Sequence, residues 1–98
     1  MNASLEVGVE HHDGTTVVSP LGEIDMATAP KLRASLLTTN GDVVDLSAVS
    51  VLDSTGIAVL AEARKRLSSV GGDLVLRKPE GIVRQALETM GFGDWIED

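Results

Sequence analysis

The sequence has no cysteine and little aromatic content, with one Phe, one Trp and no Tyr. The absence of cysteine excludes disulfide bonds, thiolate catalysis and cysteine-ligated metal sites. The core must therefore be aliphatic, and a hydrophobic share of 43% is enough to build one. Because 98 residues offer too little apolar area for two cores, we expect a single domain spanning residues 1–98.

Long apolar runs and an excess of basic residues are also missing. No window approaches the roughly 20 apolar residues of a membrane-spanning helix, and the first residues lack a basic patch followed by an apolar run. We therefore expect a cytoplasmic protein with no direct membrane insertion. Eight basic against fifteen acidic residues give a net charge of −7, which disfavours binding to nucleic acid. The one basic cluster, Arg64-Lys65-Arg66, is typical of the solvated last turn of a helix.

Apolar residues follow strand and helix periods in alternation along the chain. Leu5, Val7 and Val9 alternate with polar or small residues, and Asp13-Gly14 is a hairpin turn signal, so residues 15–21 should return as a second strand. Further strands are expected at 43–46 and 74–76, with helices that begin near Thr28, Ser54 and Gly81 and end at Asn40, Gly71 and Gly91.

Each predicted helix carries several apolar residues. Residues 94–96 are expected to lie back on the core. Thr28 is the predicted cap of the first helix, with Pro30 tolerated in its first turn. Arg64 interrupts the stripe of the second helix. Ala29, Leu32 and Leu36 are the expected buried stripe of the first helix. The second helix has apolar residues at helical spacing, Ile57, Leu60, Ala61 and Leu67, and the third carries Ile82, Ala86, Leu87 and Met90.

This order of elements predicts an α/β fold. Right-handed crossovers give a mostly parallel sheet, to which the first strand is joined as the antiparallel member of a hairpin. In such sheets the functional loops lie at the carboxyl ends of the strands. Two loops qualify, 22–28 and 47–54, and we expect them to be neighbours.

The second of these loops ends in Asp53-Ser54-Thr55-Gly56, directly before a long helical pattern. Asp53 is the better cap for the helix, which leaves the Ser54 hydroxyl free at a helix N-terminus, a place suited to a phosphate. A plain helix start is the competing interpretation. Gly56 argues against it, because glycine in a helix costs up to ~1 kcal/mol relative to alanine. Close approach of another backbone or of a nucleotide phosphate would explain that glycine.

The pattern from Val43 to Leu60, which contains Val-Val-Asp-Leu-Ser and Leu-Asp-Ser-Thr-Gly-Ile, resembles the signature of STAS domains. More specifically, it is similar to that of the bacterial anti-sigma factor antagonists, also called anti-anti-sigma factors. Gly22-Glu23-Ile24-Asp25, Thr28-Ala29-Pro30 and the segments 71–74 and 83–92 extend the resemblance nearly from end to end. The resemblance implies a STAS fold, with a four- to five-stranded mostly parallel mixed sheet, three main helices and an N-terminal β-hairpin.

The resemblance also implies a phosphorylation switch. In the family, an anti-sigma factor that is a serine kinase with a histidine-kinase-like ATP-binding fold phosphorylates the serine that matches Ser54. The unphosphorylated antagonist binds the anti-sigma factor and frees the sigma factor, and a metal-dependent serine phosphatase restores it. No cofactor is expected in the chain itself, since ATP and the metal ion belong to these two partners. A monomer or weak dimer is expected.

The predicted partner-binding residues surround Ser54. Thr55 is the less favoured phosphate acceptor, and Asp25 could equally be a turn residue ahead of the helix. A phosphate adds about −1.5 to −2 charges, which the helix N–H groups and dipole should stabilise while neighbouring carboxylates and the added bulk repel the partner. The full predicted set is Glu23, Asp25, Thr28, Asp53, Ser54, Thr55, Gly56 and Val59.

Other functions have less support from the residues. His11 and His12 are adjacent on a strand and point to opposite faces, so they cannot jointly hold a metal ion. Asp-Ser-Thr-Gly has one residue too many for an aspartic protease motif, and no nucleophile elbow or P-loop is present, so we expect no enzyme. The alternative is a STAS subunit of a cytosolic ABC-type lipid or solute transport complex, acting as an assembly module without a phosphate cycle. A sensor module that binds a nucleotide is less favoured, because few aromatic side chains could stack on a base.

Overall fold

The computed structural model describes residues 4–97. The chain begins with a β-hairpin of β1 (Leu5–His12) and β2 (Thr15–Ile24), joined at Asp13-Gly14 as predicted. The remaining elements in chain order are α1 (Ala29–Thr39), β3 (Val43–Asp45), β4 (Val49–Leu52), α2 (Ser54–Ser68), β5 (Val75–Arg77), α3 (Gly81–Thr89), one 3₁₀ turn (Gly93–Trp95) and β6 (Ile96–Glu97).

These strands form one six-stranded mixed sheet in the order β1-β2-β3-β5-β6, with β4 beside the end of β2. The β1–β2 pair is antiparallel and every other pair is parallel, which confirms the predicted α/β fold class. The strand count is higher than expected. β4 lies inside the predicted loop 47–54, and β2 continues through Ile24, so that Ile24 pairs with Leu52 after a register shift at Gly22/Glu23.

The helices cover one face of the sheet. Successive parallel strands are added in one direction, and right-handed crossovers then place α1, α2 and α3 on the same side. Val18, Val44 and Leu76 are in register on adjacent strands and are fully buried against these helices. The helices contribute Leu32, Leu36, Leu60, Val83 and Leu87 to the same aliphatic core.

The apolar residues predicted for α3 divide between the core and the surface. Val83 and Leu87, which are four residues apart, are buried, whereas Ile82 is 69% exposed and Met90 is 53% exposed. Ala86 is half-buried between them. The residues at 82, 86 and 90 therefore form a second apolar stripe along the flank of α3, next to the buried side of that helix, with Ala86 packed against the core.

Arg64, which interrupts the apolar stripe of α2, contacts Asp73 and Trp95. Its Nε donates to Asp73 Oδ1 at 2.9 Å, and its guanidinium lies over the Trp95 ring at 4.3 Å from the centroid. Trp95 in turn meets the ring of Phe92 edge-on, with centroids 4.4 Å apart. Ile96 pairs with Leu76 in β6, so the tail lies back on the core as predicted.

Candidate functional site

The turn between β4 and α2 presents a capped helix with a free hydroxyl beside the cap. Asp53 is the N-cap in extended conformation, and its Oδ1 accepts hydrogen bonds from the backbone N–H groups of Thr55 at 3.0 Å and Gly56 at 3.2 Å. Ser54 is exposed, and its hydroxyl makes no hydrogen bond to any residue from 4 to 97. The arrangement predicted for Asp53 and Ser54 is therefore present.

Thr55 is not equivalent to Ser54, although both carry a hydroxyl in the first turn of α2. The Thr55 hydroxyl donates a short hydrogen bond to Asp53 Oδ1, and the residue is half-buried. A kinase would have to break this bond before it could use Thr55 as an acceptor. The geometry thus favours Ser54 over Thr55 as the modifiable residue.

The Asp53 carboxylate is held in its charged form by these donors. The Thr55 hydroxyl is the largest influence and lowers the pKa of Asp53; desolvation opposes it, and the backbone N–H groups of Gly56, Thr55 and Met26 lower the pKa further. Because the N–H groups of Thr55 and Gly56 already bind Asp53, they are not available to a phosphate on Ser54. The expectation that helix N–H groups would stabilise that phosphate is therefore corrected for these two groups, and the phosphate would stand beside the Asp53 carboxylate.

Replacing Asp53 by Ala should destabilise the protein by about 0.5–2 kcal/mol, because the helix loses its cap. Urea unfolding measures this loss, and Asp53→Asn, which keeps an accepting oxygen, is the control. The lowered pKa means that the charged carboxylate stabilises the fold fully above its unfolded pKa and loses that effect as pH falls through the lower folded value. The advantage of wild type over Asp53→Asn should thus disappear only below about pH 4. Equal stability of wild type and Asp53→Ala would contradict the capping role.

The two predicted loops are neighbours. The Gly22 backbone N–H donates to the Ala48 carbonyl at 3.1 Å, and the Asp53 N–H donates to the Ile24 carbonyl at 3.1 Å. The first three residues of segment 22–28 belong to a strand, because β2 runs through Ile24. The short turn that remains, residues 25–28, lies beside the start of α2.

Asp25 and Thr28 hold this turn together from within. Asp25 Oδ1 accepts from the backbone N–H groups of Ala27 at 2.9 Å and Thr28 at 3.1 Å, so Asp25 has the turn role considered for it. The Thr28 hydroxyl donates to the Glu23 carbonyl at 2.6 Å and accepts from the Asp25 N–H at 3.0 Å. Thr28 occupies the N-cap position of α1 as predicted, but its side chain caps no helix N–H group. A partner contact by buried Thr28 stays a prediction.

The packing of the core requires glycine at position 56. A Cβ at this position would lie 2.5 Å from Ile24 Cγ2 and 2.6 Å from Leu52 Cδ1, closer than side-chain atoms tolerate. Gly56 is buried, so the glycine is required by the packing of α2 on β2 and β4. This corrects the explanation that an approaching partner or nucleotide needs the space, and a partner contact by Gly56 stays a prediction.

Val59 lies in an open cleft of about 450 Å³ between α1 and α2. Ile57 faces the core, Ala58 is exposed, and Val59 is half-buried, so both Ala58 and Val59 offer surface. Met26, which is 77% exposed, and Leu37 border the same cleft. This apolar surface adjoins the Ser54 turn through Thr55.

A second open cleft, of about 390 Å³, lies on the other side of the Ser54 turn, between the start of α2 and α3. Asp53 and Ser54 border it, together with Ile57, Ile82, Ala86 and Met90. The sequence prediction missed this surface. The spacing of 82, 86 and 90 was a signal for it, but the same spacing is typical of a core stripe.

Acidic groups surround the turn. Glu23 is exposed, and Asp25 and Asp53 are half-buried. Within residues 4–97, no group of three or more His, Asp or Glu side chains could hold a metal ion. His11 bonds Thr16 Oγ1 at 3.0 Å, and His12 lies 3.6 Å from Glu10 on the hairpin. In the same described part of the chain, no helix has the length and apolar character needed to cross a membrane.

The chain belongs to the STAS domain family, whose model matches residues 6–97. It is 35% identical to the anti-sigma-F factor antagonist RsfB of Mycobacterium tuberculosis, over 91% of this chain and 76% of that protein. It is also 35% identical to the anti-sigma-B factor antagonist of Listeria monocytogenes, over 99% of this chain and 89% of that protein. The structure of an anti-sigma factor antagonist from Mycobacterium paratuberculosis matches with a TM-score of 0.83 at 35% identity, covering 93% of this chain and 81% of that one.

Proposed function

We propose that this chain is an anti-sigma factor antagonist controlled by phosphorylation of Ser54. In its unphosphorylated form it binds an anti-sigma factor that is a serine kinase, and so frees the sigma factor; phosphorylation abolishes this binding. The names of the relatives support the antagonist role and favour it over a transport-complex subunit. The observation that carries the switch is the exposed, unbonded Ser54 hydroxyl at the start of α2.

The partners follow from this cycle. The anti-sigma factor brings ATP with its metal ion, and a metal-dependent serine phosphatase returns Ser54 to its free state. The chain itself needs no cofactor and performs no catalysis. All these components meet in the cytoplasm, where this domain acts by binding alone.

The partner surface should include the turn at 25–28, the Ser54 turn and the cleft that contains Val59. These parts are contiguous, because Met26 and Thr55 border the same cleft between α1 and α2. Met26, Leu37 and Ala58 supply exposed apolar area there, and exposed apolar patches of this kind mark protein interaction sites. Glu23 and Asp25 add negative charge at the edge, which suits a partner with basic residues opposite.

The proposal is tested by incubating the chain with ATP and each purified anti-sigma serine kinase of the same cell, followed by phosphate mapping by mass spectrometry. We expect one phosphate, at Ser54, and none in Ser54→Ala. Ser50→Ala is the control, because Ser50 is also exposed but lies on β4 with its hydroxyl 3.3 Å from the Gly22 carbonyl oxygen. Phosphate at Thr55 or at no residue with every kinase would overturn the assignment of Ser54.

A further inference from the structure

The flank of α3 carries an apolar stripe that the described fold leaves uncovered. Ile82, Ala86 and Met90 are four residues apart, so they lie on one side of the helix. Ile82 and Met90 are 69% and 53% exposed, although Val83 and Leu87 already attach α3 to the core. Ile82 and Met90 are therefore not needed to hold α3 in place, whereas Ala86 between them packs against the core.

This stripe forms one wall of the cleft of about 390 Å³ beside Ser54. Leu52 and Ile57 form its floor, as both are buried core residues that border the cleft. Asp53 and Ser54 form the rim on the α2 side. The cleft thus has an apolar interior, and the modifiable hydroxyl stands at its entrance.

We propose that this α2–α3 cleft receives an apolar side chain of the anti-sigma factor, so that the partner surface extends across Ser54 onto α3. The inference rests on the proposed function and adds Ile82 and Met90 to it as anchoring contacts. The occupant is assigned to the partner because the cleft is continuous with the Ser54 turn. A second copy of the chain is a poorer occupant, since two molecules of charge −7 repel each other.

The position of Ser54 then explains why a phosphate is effective. At the entrance of the cleft, a group of about −1.5 to −2 charges would have to lose water when an apolar side chain enters. The same group would stand beside the Asp53 carboxylate, which is held charged by its hydrogen bonds. Phosphorylation therefore removes the apolar contact and adds uncompensated charge at one place.

The test compares Ile82→Ser, Met90→Ser and the double variant with wild type in titration calorimetry against the anti-sigma factor that wild type binds. Each single change should weaken binding about tenfold or more, as for apolar anchors of other interfaces, and the double change more strongly. Val70→Ser is the matched control, because Val70 is 79% exposed but follows the far end of α2. Its affinity should stay within about twofold of wild type, since surface changes outside an interface have small effects. Circular dichroism and thermal unfolding confirm that each variant is folded.

The effect of Ser54 phosphorylation on binding is a second measurement, and it distinguishes a direct contact in the cleft from a general weakening of the interface. If the phosphate acts through the cleft, phosphorylation of Ser54 should weaken binding by a smaller factor in the double variant than in wild type. Unchanged affinity of both single variants, with wild type still binding and still switched by phosphate, overturns the α3 contact alone. Failure of wild type to bind any anti-sigma factor overturns the proposed function and the α3 contact together. A wild-type dimer that the double variant converts to a monomer, seen by sedimentation, assigns the cleft to a second copy and also overturns the inference.

Discussion

Phosphorylation of Ser54 is expected to weaken binding to the anti-sigma factor by about 10⁴-fold, which corresponds to ~5.5 kcal/mol. A switch from mostly bound to mostly free needs a change of this size. One exposed charge pair contributes only about 0–1 kcal/mol, so a distant phosphate could not produce it. The proposed switch therefore requires Ser54 to lie inside the contact, where a phosphate would block approach and meet the charged Asp53 carboxylate.

Calorimetry with the chain phosphorylated in full at Ser54 measures this effect directly. Ser54→Ala should bind within a few-fold of wild type, because the hydroxyl has no hydrogen bond that the fold depends on. Ser54→Asp should lie between the two, since it adds one charge and less bulk than a phosphate. Ser68→Asp, an exposed serine at the other end of α2, is the control and should bind as wild type. A phosphorylated chain that binds within tenfold of the unmodified one would exclude direct occlusion.

The parts of the fold that the sequence predicts best are those with long, regular patterns. Leu5, Val7 and Val9 with the Asp13-Gly14 turn define the hairpin, and α2 follows its apolar spacing over 15 residues. β4 was missed because it falls inside the segment 47–54 that was predicted as a loop, and β6 was missed because its two residues show no period. They are strands only because a neighbour, β2 or β5, offers free backbone groups.

The candidate site likewise has features that the sequence predicts and features that it does not. Capping of α2 by Asp53 and the free Ser54 hydroxyl depend on adjacent residues, so the local sequence predicts both. The α2–α3 cleft depends on how two helices pack, and the apolar spacing of 82, 86 and 90 does not reveal which face of α3 meets the core.

Gly56 illustrates how an unusual residue near a functional turn can have a structural cause. In the sequence its proximity to Ser54 suggests a role in partner approach. In the structure its missing side chain allows α2 to begin directly against Ile24 of β2 and Leu52 of β4. The position of Ser54 therefore depends on Gly56, because the close packing of α2 against β2 and β4 fixes where the first turn of α2 lies.

Replacing Gly56 by Val should destabilise the protein by about 3 kcal/mol or more, at the upper end of the range for overpacked cores. The first added carbon alone would lie 2.5 Å from the stiff, β-branched Ile24 side chain, so Gly56→Ala should cost about 1–2 kcal/mol despite its better helix propensity. Urea unfolding measures both. Ala58→Val is the matched control, because it adds β-branched bulk to an exposed position of the same helix and should cost only about 0.5 kcal/mol. If Gly56 instead served partner approach, Gly56→Val would unfold like Ala58→Val and only the affinity for the anti-sigma factor would fall.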